Sequence, residues 1–170
     1  MKIAFQGVSG AFSEAAIYQE YGTEVDTVGF DDFDDVFEAI VSGDVDAAMI
    51  PVENSIAGSV SRNYDAFFTQ PVIAIREVYA PIRHCLLAKR GSTLNDITRV
   101  LSHPMALKQC ESFLKRHNFK QIPEYDTAGS AKLVSESDDA ALAAIAAKRA
   151  GEIYDLDVLA EEIQTMTTNM

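Results

Sequence analysis

Short apolar runs alternate with segments of helical spacing along the whole chain, and that alternation leaves few folds open. Lys2–Gln6 (KIAFQ) reads as a first strand, Gly7-Val8-Ser9-Gly10 as a tight turn, and 11–21 as a helix. A second strand is predicted at 25–30. Phe33, Val36, Phe37, Ile40 and Val41 recur at helical spacing, which predicts a helix at 34–42. The run VDAAMI at 45–50 is a buried strand, and helix follows at 62–68. VIAIREV at 72–78 alternates as a strand until Pro81 breaks it. Strands are then predicted at 84–88, 97–102, 119–125 and 157–163, with helices at 106–117 and 131–135. Residues 140–154 are alanine-rich and helical by propensity, but the β/α order predicts a strand at 142–146 with a helix after it. The break at Pro81, and the echo of DAAMI (46–50) in DAALA (139–143), predict two α/β lobes, 1–80 and 81–170, with a cleft between them.

The stretch 51–60, PVENSIAGSV, is the most informative. Pro51 ends the preceding strand, because proline has no N–H for a ladder. Glu53, Asn54 and Ser55 then place a carboxylate, an amide and a hydroxyl in three consecutive positions. A polar turn between a strand's C-terminal end and a helix's N-terminus is where open α/β sheets bind ligands. N–H groups of a first helical turn favour an anion there. An ordinary N-cap, with Asn54 or Ser55 closing the helix, is the alternative. The turns SGAFSE (9–14), SHPMAL (102–107) and DTAGSA (126–131) share the same character. All four could face the cleft and make a pocket for a small polyanion. Gly7 and Gly10 alone are weak evidence for a nucleotide, since the chain has neither a complete GxGxxG nor a Walker lysine. Asp31, Asp32, Asp34 and Asp35 invite a metal, but acids at a helix start are what the dipole favours.

The formal net charge of −12 argues against nucleic acid and anionic membranes as partners. An anionic ligand would be repelled by the whole field, so local donors must attract it. No run is long and apolar enough to span a membrane. MKIAFQG enters a strand without the pattern of a signal peptide, so a cytoplasmic location is expected. Cys85 and Cys110 lack metal-type spacing and read as free thiols in a reducing compartment.

Several of these stretches resemble one family, the prephenate dehydratases. PVENSIAGSV is similar to its P-[IV]-E-N-S-x-x-G motif, SHPMALKQC to SHPQALxQC, and DTAGSA to its Thr/Ser-Ala turn. GVSGAFSEAA resembles the family's first turn, and AAIAAKRAGEIYDLDVLAEEIQ its last block. The likeness runs from Lys2 to about Asn169. GAFSEAA, and RNYD after the anchor, also resemble the sister arogenate dehydratases. The resemblance implies a two-lobed fold like type II periplasmic binding proteins, with the active site in the interlobe cleft and neither a metal nor an organic cofactor. It implies decarboxylating dehydration of prephenate to phenylpyruvate, in phenylalanine biosynthesis, and it implies association into a homo-oligomer. A non-catalytic module binding small anions is the reading from another class.

Roles follow from the chemistry of the implied reaction. Loss of the ring carboxylate as carbon dioxide pushes electrons toward the C–OH bond, so the protein must help hydroxide leave and leave the ring carboxylate poorly solvated. Asn54 and Ser55 are expected to bond the substrate near its ring, with Glu53 orienting the loop. Phe12, Ser13, Gly58, Ser59, Ser102, His103, Thr127, Ala128 and Ser130 are expected to line the substrate site, the hydroxyls and nearby N–H groups holding carboxylates. His103 could equally cap a turn before Pro104, and Arg62 could pair with a carboxylate or lie at the surface. Gln109 and Cys110 read as packing. Met105 stands where the family has glutamine. The family continues beyond Asn169-Met170 into Thr-Arg-Phe, whose threonine is regarded as the key catalytic hydroxyl, and usually into an ACT domain. Weak or no dehydratase activity is therefore expected of these 170 residues alone.

Overall fold

The computed structural model describes residues 1–166 and 168–170. The chain divides into two compact units. The first comprises Met1–Val8, Phe12–Pro81 and Asn169–Met170, the second Ser9–Ala11 and Ile82–Thr168.

The first unit is built on a parallel sheet of β1 (Lys2–Gln6), β2 (Asp26–Phe30) and β3 (Ala47–Met49), in the order β2-β1-β3. Central β1 buries Ile3, Ala4 and Phe5 in succession, as a strand covered on both faces should. Helix α1 (Phe12–Tyr21) buries the carboxylate of Glu14, which accepts from Thr27 Oγ1 at 3.1 Å and Tyr18 Oη at 3.4 Å. Helix α2 (Phe33–Ser42) packs Val36 and Ala39 with Ala4 and Val45. Asp32 caps it by accepting from the N–H groups of Asp34 and Asp35, so one of the four clustered acids serves the helix end. A short hairpin, β4 (Glu53–Asn54) and β5 (Gly58–Ser59), precedes helix α3 (Ser61–Thr69).

Two expectations need correction in this unit. The anchor stretch is a hairpin, not a strand-to-helix turn. Helix α3 starts after Val60, which makes no side-chain cap, so neither Asn54 nor Ser55 is its N-cap. The second concerns 72–78. Among the described residues the stretch pairs with no strand, and Ile73 and Ile75 are exposed. Its alternation has strand periodicity, while a ladder also needs a neighbour.

The second unit is a mixed five-stranded sheet in the order β10-β6-β9-β7-β8. Its strands are β6 (Cys85–Lys89), β7 (Arg99–Ser102), β8 (Lys120–Pro123), β9 (Leu142–Ala146) and β10 (Leu156–Ala160). Strand β7 is parallel to β8 and β9, and β6 runs antiparallel to β9 and β10. Side-chain alternation divides the core. Leu86, Ala88, Ala143 and Ile145 pack on one face, and Cys85, Leu87, Leu142, Ala144 and Ala146 on the other. That two-sided burial is why an alanine-rich stretch is a strand here despite its helix propensity: a strand covered on both faces reads as an unbroken apolar run.

Four helices complete this unit: α4 (Pro104–Gln109), α5 (Glu111–Arg116), α6 (Thr127–Glu136) and α7 (Lys148–Ile153). The single helix predicted at 106–117 is two, broken at buried Cys110. The predicted turn at 126–130 is the first turn of α6. Gly10 takes φ +93°, and a Cβ there would lie 2.9 Å from Ala150 Cα, so this glycine serves close packing on α7.

Candidate substrate site

The hairpin at 53–59 is shaped by Asn54. Its Oδ1 accepts from the N–H groups of Ile56 (3.1 Å) and Ala57 (2.9 Å), a side-chain turn that reverses the chain. Gly58, at φ +84°, brings the chain back to pair with β4. The other end of the same amide is also engaged. Asn54 Nδ2 donates to Asn169 Oδ1 at 2.8 Å and to the Met170 carbonyl at 3.0 Å. Ser55 adds a reciprocal pair: its N–H donates to the Met170 carbonyl, and its Oγ accepts from the Met170 N–H, both at 3.0 Å. Helix α3 supports the base of the hairpin through Asn63, fully buried, whose Nδ2 donates to the Pro51 carbonyl at 2.8 Å.

An amide has two donor protons and two acceptor lone pairs, and Asn54 uses all four on the protein. Glu53, Ser59 and Gly58 are exposed on the hairpin. Phe12 and Ser13 are half-buried at the start of α1, which follows β1, and β1 pairs directly with β3. Arg62 forms an exposed ion pair with Asp34, the surface role of its two alternatives.

In the second unit, the turns after β7 and β8 are neighbours because those strands pair in parallel, Ser102 opposite Pro123. Ser102 is fully buried and its Oγ donates to the Ile145 carbonyl at 2.6 Å. Ser130 is buried, and its Oγ donates to the Asp126 carbonyl at 2.6 Å. A hydroxyl has one proton, and each of these two gives it to a backbone carbonyl of the fold. Asp126 caps α6 by accepting from the Gly129 N–H. Ala128 is buried and Thr127 half-buried in that first turn. His103 caps α4, its Nδ1 accepting from the Met105 N–H at 3.2 Å. Burial lowers its pKa from the ordinary value, with Asp126 opposing the shift. Among the described residues, no hydrogen bond engages the hydroxyls of Ser13, Ser59 or Thr127. Ser13 and Ser59 belong to the first unit and Thr127 to the second.

Two arrangements had no local signal in the sequence. Asn169, 2% exposed, meets Asn54 across 115 positions of chain. Buried His84 lies with Nε2 2.8 Å from Gln109 Oε1, and its N–H donates to Gln164 Oε1 at 2.9 Å. Gln109, read as packing, thus belongs to a buried polar network that ties down the segment after β10. Burial lowers the His84 pKa. Burial also raises both thiols, Cys110 to about 12, which keeps them protonated and unreactive.

A family model described as prephenate dehydratase matches residues 3–170. The protein named arogenate dehydratase/prephenate dehydratase 2, chloroplastic, of Arabidopsis thaliana is 40% identical over 170 residues, covering 100% of this chain and 44% of that protein. The chain thus spans less than half the length of this relative. Among solved structures, the prephenate dehydratase from Arthrobacter aurescens in complex with L-Phe is 34% identical with a TM-score of 0.90. The match covers 98% of this chain and 57% of that one. A periplasmic substrate-binding protein of an ABC transporter from Coxiella burnetii matches with a TM-score of 0.50 at 15% identity, over 100% of this chain and 83% of that one. That likeness shows the fold alone, an α/β fold of the periplasmic-binding kind. The expected cytoplasmic location is corrected: the Arabidopsis relative, matched over the whole chain, is named chloroplastic. The folded part of a protein carries no address of its own, and the lack of a secretion pattern does not supply one.

Proposed function

The chain belongs to the prephenate dehydratase family, and on that premise we propose that it is the catalytic part of an enzyme of phenylalanine biosynthesis that converts prephenate to phenylpyruvate with loss of carbon dioxide and water. The observation that carries this reading is the hairpin 53–59. The family's motif residues are folded there into one tight reversal whose backbone is held by the Asn54 side chain and the pairing of β4 with β5. Fixed hydroxyl and amide dipoles suit this reaction. They can steady the departing hydroxide by hydrogen bonding without neutralising the ring carboxylate, whose loss supplies the electrons. A cage of lysines would hold that carboxylate too well.

Ser55 and the hairpin backbone are assigned to the reacting ring, and Glu53 to orientation of the loop. In the first unit Ser13 and Ser59 are the hydroxyls assigned to a carboxylate, and in the second Thr127 with the first-turn N–H groups of α6. The ligand is a small dicarboxylate. Calorimetry with prephenate, together with absorbance detection of phenylpyruvate, tests the reading. Saturable binding that Ser59→Ala and Thr127→Val each weaken is expected. Absence of both binding and turnover would sink it.

One observation favours arogenate as the substrate. The first unit carries three basic and fourteen acidic side chains, against eleven and twelve in the second, so nearly all of the negative excess lies in the unit that holds the hairpin. Arogenate has an ammonium where prephenate has a keto oxygen, and a negative surrounding field penalises it less. The exposed apolar side chains Phe68, Ile73, Ile75 and Tyr79 of the same unit support association into a homo-oligomer. Sedimentation over a range of protein concentrations tests that, with a monomer at all concentrations as the contrary result.

A further inference from the structure

We propose that Asn54 is a positioning residue, not a catalytic one: with Ser55 it forms a clamp that holds the chain's own Asn169–Met170 segment against the hairpin. Four hydrogen bonds make the clamp, two from Asn54 Nδ2 and two through Ser55. They meet three separate groups of the segment: the Asn169 side chain, the Met170 carbonyl and the Met170 N–H. Such a set fixes both the direction and the register of a backbone, where a single bond would allow it to swing. Asn169 is buried as deeply as a core residue although it is polar, and its Oδ1 is met by Asn54.

The division of labour within Asn54 is what makes the assignment specific. Its oxygen closes the hairpin on Ile56 and Ala57, and its nitrogen reaches the other segment. One planar side chain therefore couples the shape of the turn to the place of residues 169–170. The residues before them, up to Thr168, belong to the second unit, so the clamp holds the point where the chain returns to the first. A ligand seated on the hairpin gains from the clamp because the wall is already ordered when it arrives.

The experiment uses the full 170-residue chain with Asn54→Asp, Asn54→Ala, Asn169→Ala and the Asn54→Ala/Asn169→Ala pair. Asn54→Asp keeps an oxygen for Ile56 and Ala57 but sets an acceptor against Asn169 Oδ1 and the Met170 carbonyl. It should leave the Ile56 and Ala57 amides protected, while exchange of the Met170 amide accelerates roughly tenfold, the scale of one hydrogen bond. Asn169→Ala should shift the Asn54 side-chain NH2 resonances, with the hairpin amides unmoved. Protection at Leu87 and Ala144 in β6 and β9 reports that each variant is folded. Unchanged Met170 exchange in a folded Asn54→Asp or Asn54→Ala protein overturns the clamp.

A second arm rests on the dehydratase reading and uses prephenate as the probe. The clamp predicts that Asn54→Ala and Asn169→Ala weaken binding by similar factors, and that the pair is no worse than either alone. If Asn54→Ala weakens binding and Asn169→Ala does not, Asn54 contacts the ligand directly and the proposal fails. If the unaltered chain neither binds nor converts prephenate, the prephenate reading fails, and amide exchange alone decides the clamp.

Discussion

At the scale of residues, the polar groups of this chain serve its own architecture more than their motifs suggest. Ser102 and Ser130 look like ligand hydroxyls, yet each donates its one proton to a backbone carbonyl. Ser102→Ala should leave the Ile145 carbonyl unsatisfied in the core and lower stability by about 1–3 kcal/mol, read from urea unfolding. Asn54 and Ser55 were legible as special because packing cannot explain three polar neighbours after a buried strand. That Asn169 completes Asn54 was not legible, because nothing local marks a partner 115 residues away. His84 carries a pH prediction. Its folded pKa is lowered by burial, so the unfolded chain binds the proton more readily. Stability is therefore full above the unfolded value of about 6.5 and falls as pH drops below it. His103 shifts in the same direction, so the His84 share is the part that His84→Gln removes from the fall in Tm between neutral and mildly acidic pH.

At the scale of elements, periodicity located most strands and helices, and their ends were set by contacts it does not encode. Helix α6 begins earlier than its apolar pattern because Asp126 caps Gly129. Asp126→Ala should cost about 1 kcal/mol and fray the turn that carries Thr127, which amide exchange at 127–130 would detect. The hairpin depends on Gly58 in the same way. A side chain at φ +84° costs roughly 1–2 kcal/mol, so Gly58→Ala should destabilise locally and raise exchange at 53–59 before the sheet is affected. The stretch 72–78 has the period of a strand and finds no ladder among the described residues, with Ile73 83% exposed. Ile73→Lys with Ile75→Lys should reduce concentration-dependent association without lowering the melting temperature.

At the scale of the whole molecule, charge is distributed unevenly. The net −12 of the chain resides almost wholly in the first unit, the one with the hairpin, while the second is nearly balanced. A dianion approaching the hairpin meets an adverse field that salt screens. Raising ionic strength from about 0.01 to 0.1 M shortens the screening length from roughly 30 to 10 Å. Prephenate binding should tighten over that range, and arogenate binding should tighten less, because one of its charges is of the opposite sign. Equal salt slopes in calorimetry would show that local donors, and not the field, set the discrimination.

By itself, the sequence determined the α/β alternation, the strand within the alanine-rich stretch, the importance of residues 51–60 and the family to which the chain belongs. These follow from short-range physics: side-chain period, proline and glycine backbone limits, and polar clusters that a core excludes. Tertiary structure alone decided the mixed order of the second sheet, the hairpin in place of a helix cap, the use of Ser102 and Ser130 inside the fold, and the seating of Asn169–Met170 on Asn54 and Ser55. Each depends on which distant groups meet. A hydroxyl or amide offers the same donors and acceptors to a ligand as to a carbonyl far along the chain, and only the folded geometry selects between them.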